Sequence, residues 1–307
     1  MDHDHSYKLL FSHPEMVADL IRGFVREEWV EHLDFSSLEK VSGTYIADDL
    51  REREDDVIWR VQWGKEWLYV YLLIEFQSTV DRFMAVRILV YLGLLYQDLV
   101  RSSQLAVDGR LPPVLPIVLY NGNRRWDAPV EMADLIVPAP KGLDAYSPRL
   151  KYLLIDEGSF GDGELEPLRN LVAVLFRLEN SLVIDDVKRV LPVLVSWLEA
   201  PEQTSLRRAF TVWLKRVFLP GRMPGVEFGS INDLQEVQSM LAERVTEWTT
   251  QWKHEGEASF LIQLLENRFG PLNEFNRDRI LHADSETLLR WGGRIYTATT
   301  IDAVFTD

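Results

Sequence analysis

Two kinds of apolar pattern occur in the first half of the chain, one typical of a helix and one typical of a buried strand. Apolar positions recur at helical spacing over residues 16–25, and Ser12 and Glu15 before them predict a helix that begins with a capping box. The segment WLYVYLLIEFQ, residues 67–77, is apolar on both faces, which is typical of a β-strand covered on two sides. The other predicted elements are a helix over 81–104, a buried strand over 113–122 and weaker strands over 38–46, 55–62 and 151–156.

The pattern becomes purely helical in the second half of the chain. Amphipathic helices are predicted over residues 166–180, 184–200, 205–219 and 232–267, the last with a break at Gly256. The fold class is therefore α/β in the first half and all-α in the second. We predict three regions, namely an α/β core over 1–160, a helical extension over 161–250 and a small C-terminal helical module over 251–307.

Composition narrows the classes of protein. The 307 residues include 33 Lys and Arg against 48 Asp and Glu, a net charge of −15, which argues against an indiscriminate nucleic-acid coat. A local basic surface, or a cleft where bound metal ions supply positive charge, stays compatible with this acidity. The absence of cysteine excludes disulfides, thiol catalysis and cysteine-based metal sites. The longest apolar run is too short for a membrane span and the N-terminus lacks a signal-peptide pattern, so a cytoplasmic location is expected.

One pair of acidic residues is a candidate for chemistry. Glu75 and Gln77 lie one pleat apart on the same face of the predicted strand. If a hairpin closes around Gly64 and Lys65, Asp56 lies one diagonal step from Glu75, roughly 7–8 Å away. A buried carboxylate needs a compensating charge, which a second carboxylate cannot provide. A divalent cation such as Mg²⁺, which prefers oxygen ligands, would compensate both acids.

An arginine partner is the alternative explanation for Glu75. This carboxylate would then reach solvent at the rim of the sheet and form a salt bridge with Arg53 or Arg87. Because acid-x-amide triplets are common, the spacing by itself leaves both alternatives open. Arg87 itself has two interpretations, a phosphate contact or a partner of Glu75.

Several blocks of sequence resemble one known family. The residues REDD (53–56), LLIEFQST (72–79) and DRFMAVRILVY (81–91) follow one another in the order found in the recombination-promoting nuclease family, which is also labelled transposase-like. The resemblance extends upstream through YKLLFSHPEMVADLI and downstream through LPIVLYNGNRRW, and so covers about the first half of the chain. That family belongs to the PD-(D/E)xK nuclease superfamily.

The resemblance implies a fold and an activity. The fold would be a restriction-endonuclease-like core of order αβββαβ, and the activity metal-dependent hydrolysis of DNA phosphodiesters. Asp56 matches the acid on the second core strand, with Asp55 as an ambiguous neighbour, and Glu75 matches the acid of the (D/E)xK element. Both would hold Mg²⁺, which Mn²⁺ can replace, with the backbone carbonyl of Phe76 as a further ligand.

Gln77 stands where the superfamily usually has lysine. A neutral amide can orient the attacking water but brings no charge, so the metal or an arginine such as Arg82 or Arg87 would have to stabilise the developing negative charge. These two arginines are also the candidate DNA contacts. The recombination-promoting family itself tends to carry glutamine at this position, so the substitution does not by itself indicate an inactive site.

The last segment, residues 256–305, resembles an uncharacterised helical module appended to bacterial nuclease-like and transposase-like proteins. The sequence RFGPL and the Ala283-Asp284-Ser285 helix start carry this likeness, and a role in protein interaction or oligomerisation is expected. The chain as a whole is expected to form a homo-oligomer. Two functions result for the whole chain. The first is a Mg²⁺-dependent DNA endonuclease linked to recombination or mobile elements, and the second is a catalytically idle interaction protein derived from a nuclease.

Overall fold

A computed structural model describes residues 2–41, 56–75, 80–122, 124–138, 140–181, 184–222, 231–295, 297–298 and 300–305. Side chains are described in these ranges except at positions 2–4, 56, 73–75, 184–185 and 242–256. The chain divides into two compact units, Met1–Val237 and Gln238–Asp307. The predicted boundaries near residues 160 and 250 stay predictions.

The first unit is a mixed α/β structure, which confirms the predicted fold class at this level. Its five strands are β1 (Leu33–Lys40), β2 (Asp56–Trp63), β3 (Glu66–Glu75), β4 (Val114–Tyr120) and β5 (Leu153–Asp156). Its helices are α1 (Asp2–Leu10), α2 (Pro14–Phe24), α3 (Met84–Arg101), α4 (Asp162–Leu165), α5 (Leu171–Asn180), α6 (Ile184–Trp197), α7 (Thr204–Trp213) and α8 (Leu219–Arg222). A π-helical segment, Leu214–Phe218, joins α7 to α8.

The five strands form one sheet in the order β1-β2-β3-β4-β5. The pairs β1–β2 and β2–β3 are antiparallel, whereas β3–β4 and β4–β5 are parallel. The carboxyl ends of β1, β3, β4 and β5 and the beginning of β2 therefore lie at one edge. We call this the carboxyl edge of the sheet.

The β2–β3 hairpin fixes the register at the centre of the sheet. Trp63 pairs with Glu66 across the turn, and Gly64 has a φ of +64°, a conformation that glycine adopts without a steric penalty. From this turn the pairing continues without interruption to Asp56 and Leu73. The predicted hairpin around Gly64 and Lys65 is confirmed.

Helices cover both faces of the sheet, as the apolar sequence of β3 predicts. On one face Tyr69 and Tyr71 pack with Met84, Ile88 and Tyr91 of α3. On the other face α1 contacts β3, and the indole N–H of Trp59 donates to the backbone carbonyl of Phe11, 3.0 Å away. Residues 57–59 of β2 and 68–72 of β3 are therefore buried, whereas the hairpin end of these strands reaches solvent.

Two local predictions were wrong. The first concerns Ser12, which does not cap α2; its Oγ donates to the carbonyl of Lys8 at 2.6 Å, and α2 begins at Pro14 after His13. The second concerns the long C-terminal helix, since α9 (Leu234–Phe269) has no break at Gly256. The free-energy cost of a single glycine is too small to interrupt a helix of this length.

In the described part of the second unit the regular secondary structure is helical. It contains most of α9, followed by α10 (Glu274–Leu281), α11 (Ser285–Arg294) and α12 (Ile301–Val304). Gly270, with a φ of +87°, ends α9 as predicted, and the side chain of Asp284 caps α11 by accepting from the N–H of Thr287. The core of this unit consists of Leu261, Leu265, Ile280, Leu288, Trp291 and Phe305. Among the described helices of the chain, none is long and apolar enough to cross a membrane.

Helices α2 and α5 approach each other closely at Gly23. Asn170 caps α5 by accepting from the N–H of Ala173 at 2.7 Å, and its amide also donates to the carbonyl of Asp19. A Cβ atom at Gly23 would lie 2.4 Å from Nδ2 of Asn170. The contact therefore requires glycine on α2 and joins α2 to the beginning of α5.

We expect Gly23→Ala to destabilise the first unit by about 1–3 kcal/mol, because the new methyl group displaces the capping amide of Asn170. Gly93→Ala is the matched control. Gly93 lies in α3 with no atom within 4 Å of its Cβ position, so alanine there should stabilise the protein by about 0.5–1 kcal/mol. Urea unfolding followed by circular dichroism measures both. Equal effects of the two substitutions would contradict the proposed contact.

Candidate active site at the carboxyl edge of the sheet

The backbone register places the two predicted acidic positions close together. Asp56 is the first residue of β2 and pairs with Leu73, and Glu75 follows two residues further along β3, at its end. The positions are therefore one diagonal step apart, roughly 7–8 Å, as the hairpin prediction requires. Asp55, Phe76 and Gln77 lie outside the described residues, so their predicted roles stay predictions.

A row of paired residues continues from Glu75 across the parallel strands. Glu75 pairs with Tyr120 on β4, and Tyr120 pairs with Asp156 on β5. Because neighbouring strands are about 4.8 Å apart, the position of Asp156 lies about 10 Å from that of Glu75. A further acid, Glu157, follows directly. Strands β2, β3 and β5 therefore each bring an acid to the carboxyl edge.

Asp156 is held by the loop that follows β4. Its Oδ2 accepts from the backbone N–H of Trp126 at 3.2 Å, and its Oδ1 lies 3.6 Å from Nη1 of Arg125. The side chain is only 11% exposed, whereas that of Arg125 is 65% exposed. Sequence reasoning missed Asp156 as a site residue. The signal was present, since β5 ends in an acid in the same way as β3.

Arg87 on α3 lies on the face of the sheet that carries Tyr71. Its Nε donates to the hydroxyl of Tyr91 at 3.2 Å, and its Nη1 lies 3.5 Å from Oδ2 of Asp81. The Tyr91 and Tyr71 rings are 5.8 Å apart, so Tyr91 connects Arg87 to β3. Tyr71 and Glu75 are separated by four residues, which places their positions on the same face. Arg82, before α3, is exposed.

A buried group of three side chains lies beneath the carboxyl edge. The hydroxyl of Tyr7 on α1 is 3.0 Å from Oε2 of Glu157 and 3.2 Å from Oε1 of Glu179 on α5. A tyrosine hydroxyl has one proton, so it donates fully to only one of these carboxyl groups. The other contact is satisfied when that glutamate is protonated and donates to Tyr7. We call these residues the tyrosine–glutamate cluster.

Burial raises the pKa of both glutamates in this cluster. For Glu157, which is 1% exposed, loss of hydration is the largest cause, and the nearby charges of Glu179 and Asp156 raise the pKa further. Burial is also the largest cause for Glu179, partly opposed by the hydrogen bond from Tyr7. The pKa of the Tyr7 hydroxyl is raised as well, mainly by its burial. The cluster therefore retains a proton that ordinary carboxyl groups would release.

A metal centre would depend on Asp56 and Glu75. Among the side chains that the structure describes, no group of three or more His, Asp or Glu residues could hold a metal ion. Carboxylates at the two diagonal positions, with a backbone carbonyl after Glu75, are the oxygen donors that Mg²⁺ prefers. The chemistry of the predicted donor set therefore fits this ion.

Comparison with protein families places the chain in a class. The model of the family described as "Putative transposase, YhgA-like" matches residues 1–208, more than half of the 307 residues. The chain therefore belongs to this family, and the predicted family resemblance is confirmed.

Individual relatives are nucleases by name. The chain is 30% identical to the recombination-promoting nuclease RpnD of Escherichia coli O157:H7 over 124 residues, 40% of this chain and 46% of that protein. It is 31% identical to RpnA of Escherichia coli K12 over 120 residues, 39% of this chain and 40% of the relative. It is also 28% identical to the inactive recombination-promoting nuclease-like protein RpnE of the same strain over 121 residues, 39% of each chain.

The chain spans less than half of the length of each of these relatives. No solved structure matches the chain at a significant level. The names of the relatives therefore describe proteins of which this chain resembles one part.

The tyrosine–glutamate cluster makes stability depend on pH. The raised pKa values mean that the folded state binds more protons than the unfolded state. The stability that the two glutamates contribute is therefore fully present below the usual carboxyl pKa of 4.5, and it is lost as pH rises through the raised pKa values. The side chains that act on Glu157 and Glu179 are Tyr7 on α1, Asp156 on β5, Trp213 on α7 and Arg222 on α8. Asn121 acts on Tyr7 itself. We expect the free energy of unfolding to decline across this interval.

Glu157→Gln should flatten this pH dependence, since an amide occupies the same space and does not ionise. Tyr7→Phe should lower the free energy of unfolding by about 1–3 kcal/mol, because it removes the hydroxyl that both buried acids contact. Glu202→Gln, at an exposed position, is the control and should leave the curve unchanged. Urea unfolding at a series of pH values measures all three. An unaltered pH dependence in Glu157→Gln would show that other groups cause it.

Proposed function

We propose that the chain is a Mg²⁺-dependent endonuclease that hydrolyses DNA phosphodiester bonds, in a context of recombination or mobile elements. The observation that carries the proposal is the β2–β3 register, which sets the positions of Asp56 and Glu75 one diagonal step apart at the carboxyl edge. Membership of a family whose relatives include proteins named recombination-promoting nucleases supports the substrate class.

The core is proposed to be of the PD-(D/E)xK type. Three strands, a helix and a further strand follow one another as β1, β2, β3, α3 and β4, preceded by α1 and α2. This is the αβββαβ order that the resemblance implies, with the acids on the second and third strands. The fold proposal therefore rests on element order and on where the acids stand in it.

In this proposal Asp56, Glu75 and the carbonyl of Phe76 hold Mg²⁺. When bound, the ion supplies Lewis-acid stabilisation of the phosphate and favours ionisation of a nearby water. The amide of Gln77 orients the attacking water, since its oxygen accepts and its nitrogen donates. Asp56 and Glu75 are negatively charged and cannot stabilise the charge of the phosphate. Cationic side chains are therefore also required.

Arg87 is the better placed of the two candidate arginines. Its contacts with Tyr91 and Asp81 fix it on the face of the sheet that includes the position of Glu75. A guanidinium restrained in this way loses little conformational freedom on contacting a phosphate. Arg82 is exposed and would act further out along the DNA backbone. DNA is the proposed partner, and the homo-oligomer stays a prediction.

A catalytically idle interaction protein is the second candidate. The observation that favours it is the match to RpnE, whose name describes it as inactive, over nearly the same length as the matches to RpnA and RpnD. The glutamine at position 77 and the net charge of −15 agree with this alternative. In that case the acidic edge and the helical second unit would serve assembly.

Asp56→Ala is expected to reduce nicking of supercoiled DNA in the presence of Mg²⁺ at least about 100-fold, because it removes a proposed metal ligand. Asp144→Ala, at an exposed position in the connection between β4 and β5, is the matched control and should retain full activity. Equal cleavage by wild type and Asp56→Ala in nuclease-free preparations would reject the assignment. Calorimetry with Mg²⁺ and Mn²⁺ then separates the candidates, since the idle protein would bind neither ion at millimolar concentration.

Gln77→Lys tests the role of the amide. A lysine supplies both a donor for the attacking water and a positive charge, so we expect kcat to be equal to or higher than that of wild type. Gln77→Ala should lower kcat about 10- to 100-fold with little change in DNA affinity, because it removes only the group that orients the water. Steady-state cleavage at saturating DNA measures kcat, and anisotropy without metal measures affinity. Unchanged kcat in Gln77→Ala would contradict this role.

A further inference from the structure

A cavity of about 650 Å³ opens beside the carboxyl ends of β4 and β5, within the first unit. The side chains that matter for its chemistry are Asn121, Arg125, Glu157, Glu179, Phe218 and Arg222. Its volume lies in the range of about 300–1,000 Å³ that is usual for small-ligand sites. In open sheets with parallel strands, ligands bind outside the carboxyl ends of the strands, which is the location of this cavity.

The acids of the tyrosine–glutamate cluster form part of the cavity lining. Glu157 is 1% exposed, and Glu179 lines the same space from the end of α5. Tyr7 bonds to Oε2 of Glu157 and to Oε1 of Glu179, and each carboxyl group has a second oxygen that can accept a hydrogen bond. Adenine, guanine and cytosine present amino donors at their edges, which carboxyl oxygens can accept.

Two arginines line the same cavity as these acids. Nη2 of Arg222 donates to the backbone carbonyl of Glu179 at 2.6 Å, which fixes the guanidinium at the cavity while leaving its other N–H groups for further bonds. Arg125 is 65% exposed and reaches the cavity from the loop after β4. Arginine side chains bind phosphate through paired N–H bonds. Acid and arginine together match a ligand with one base and one phosphate.

The residues that line the cavity pack closely at two places, namely Phe218 against Arg222 and Gly158 against Arg125. Phe218 ends the π-helical segment between α7 and α8, and Arg222 lies 5.5 Å from the centroid of its ring. Short π-helical segments occur frequently at functional sites. At Gly158 a Cβ atom would lie 2.9 Å from Nη1 of Arg125, so a larger residue there would displace this arginine.

We propose that this cavity binds one unstacked nucleotide of the nucleic-acid substrate, with its base against Glu157 and Glu179 and its phosphate on Arg125 and Arg222. This inference rests on the proposed function. The row that connects Glu75 to Asp156 spans about 10 Å, and Glu157, which lines the cavity, follows Asp156 directly in the chain. An unstacked nucleotide occurs in single strands, in gaps and where a base is flipped out of a duplex.

The experiment measures binding without metal, so that it does not depend on cleavage. Calorimetry with the four deoxynucleoside 5′-monophosphates and anisotropy with a short fluorescein-labelled single strand are carried out in EDTA on the full chain. Arg125→Gln and Arg222→Gln should each lower the affinity for the monophosphates and for the single strand about tenfold, since each removes a charge-assisted hydrogen bond. Arg124→Gln is the matched control, because Arg124 is 72% exposed and adjacent in sequence but does not line the cavity. It should change affinity less than twofold.

Glu179→Gln tests the base contact separately. It should change the order of affinity among the four monophosphates while leaving the affinity for inorganic phosphate unchanged, because an amide presents a different set of donors and acceptors. Circular dichroism melting of each variant checks that the fold is retained. A loss of binding that parallels a loss of folded protein would overturn the assignment of that residue to the site.

The outcomes separate this inference from the proposed function. Nucleotide binding that depends on Arg125 and Arg222, in a protein without nuclease activity, would support the cavity and contradict the proposed function. The cavity site would be overturned if the wild type cleaves DNA but binds no monophosphates. It would also be overturned if Arg124→Gln lowers the binding affinity as much as Arg125→Gln does. Binding of monophosphates but not of the single strand would identify free nucleotides as the source of the ligand and overturn the substrate subsite.

Discussion

Parallel pairing of β3, β4 and β5 gathers the chemistry of this protein at one edge. Each of these strands is apolar until its last residues and then ends in polar ones, so the shared direction brings Glu75, Asp156 and Glu157 to the same side of the sheet. The antiparallel β2 adds Asp56 from its beginning. A sheet paired in any other direction would distribute the same residues over two edges. The candidate site and the nucleotide cavity therefore both follow from strand direction.

The concentration of carboxyl groups at this edge requires different forms of compensation. Asp156 is compensated by Arg125 and by the N–H of Trp126, and Glu157 by a shared proton with Tyr7. In our proposal the acids at Asp56 and Glu75 require a cation, whereas Glu157, about two strand spacings away from Glu75, requires a proton.

The sequence predicted the parts of the structure that depend on local pattern. The turn at Gly64 and the length of β3 determine the partner of Asp56, so counting residues from the turn was sufficient to place it opposite Leu73. The pattern could not predict that Tyr7 reaches Glu157 and Glu179, because no local signal connects residues 150 and 172 positions apart. It also misjudged Ser12, whose hydroxyl had a competing acceptor in the preceding helical turn at Lys8.

The long reach of Tyr7 also orders the events by which the chain acquires its structure. This side chain belongs to α1, near the beginning of the chain, yet its partners are synthesised 150 and 172 residues later. Emerging from a ribosome, the N-terminal helix therefore has to wait for most of the first unit before its hydroxyl is satisfied. Contacts with such sequence separation slow folding, since a long loop has to close before they contribute. The same hydroxyl joins α1 to the residue after β5 and to α5, and a nascent chain that stops before α5 would lack the contact with Glu179.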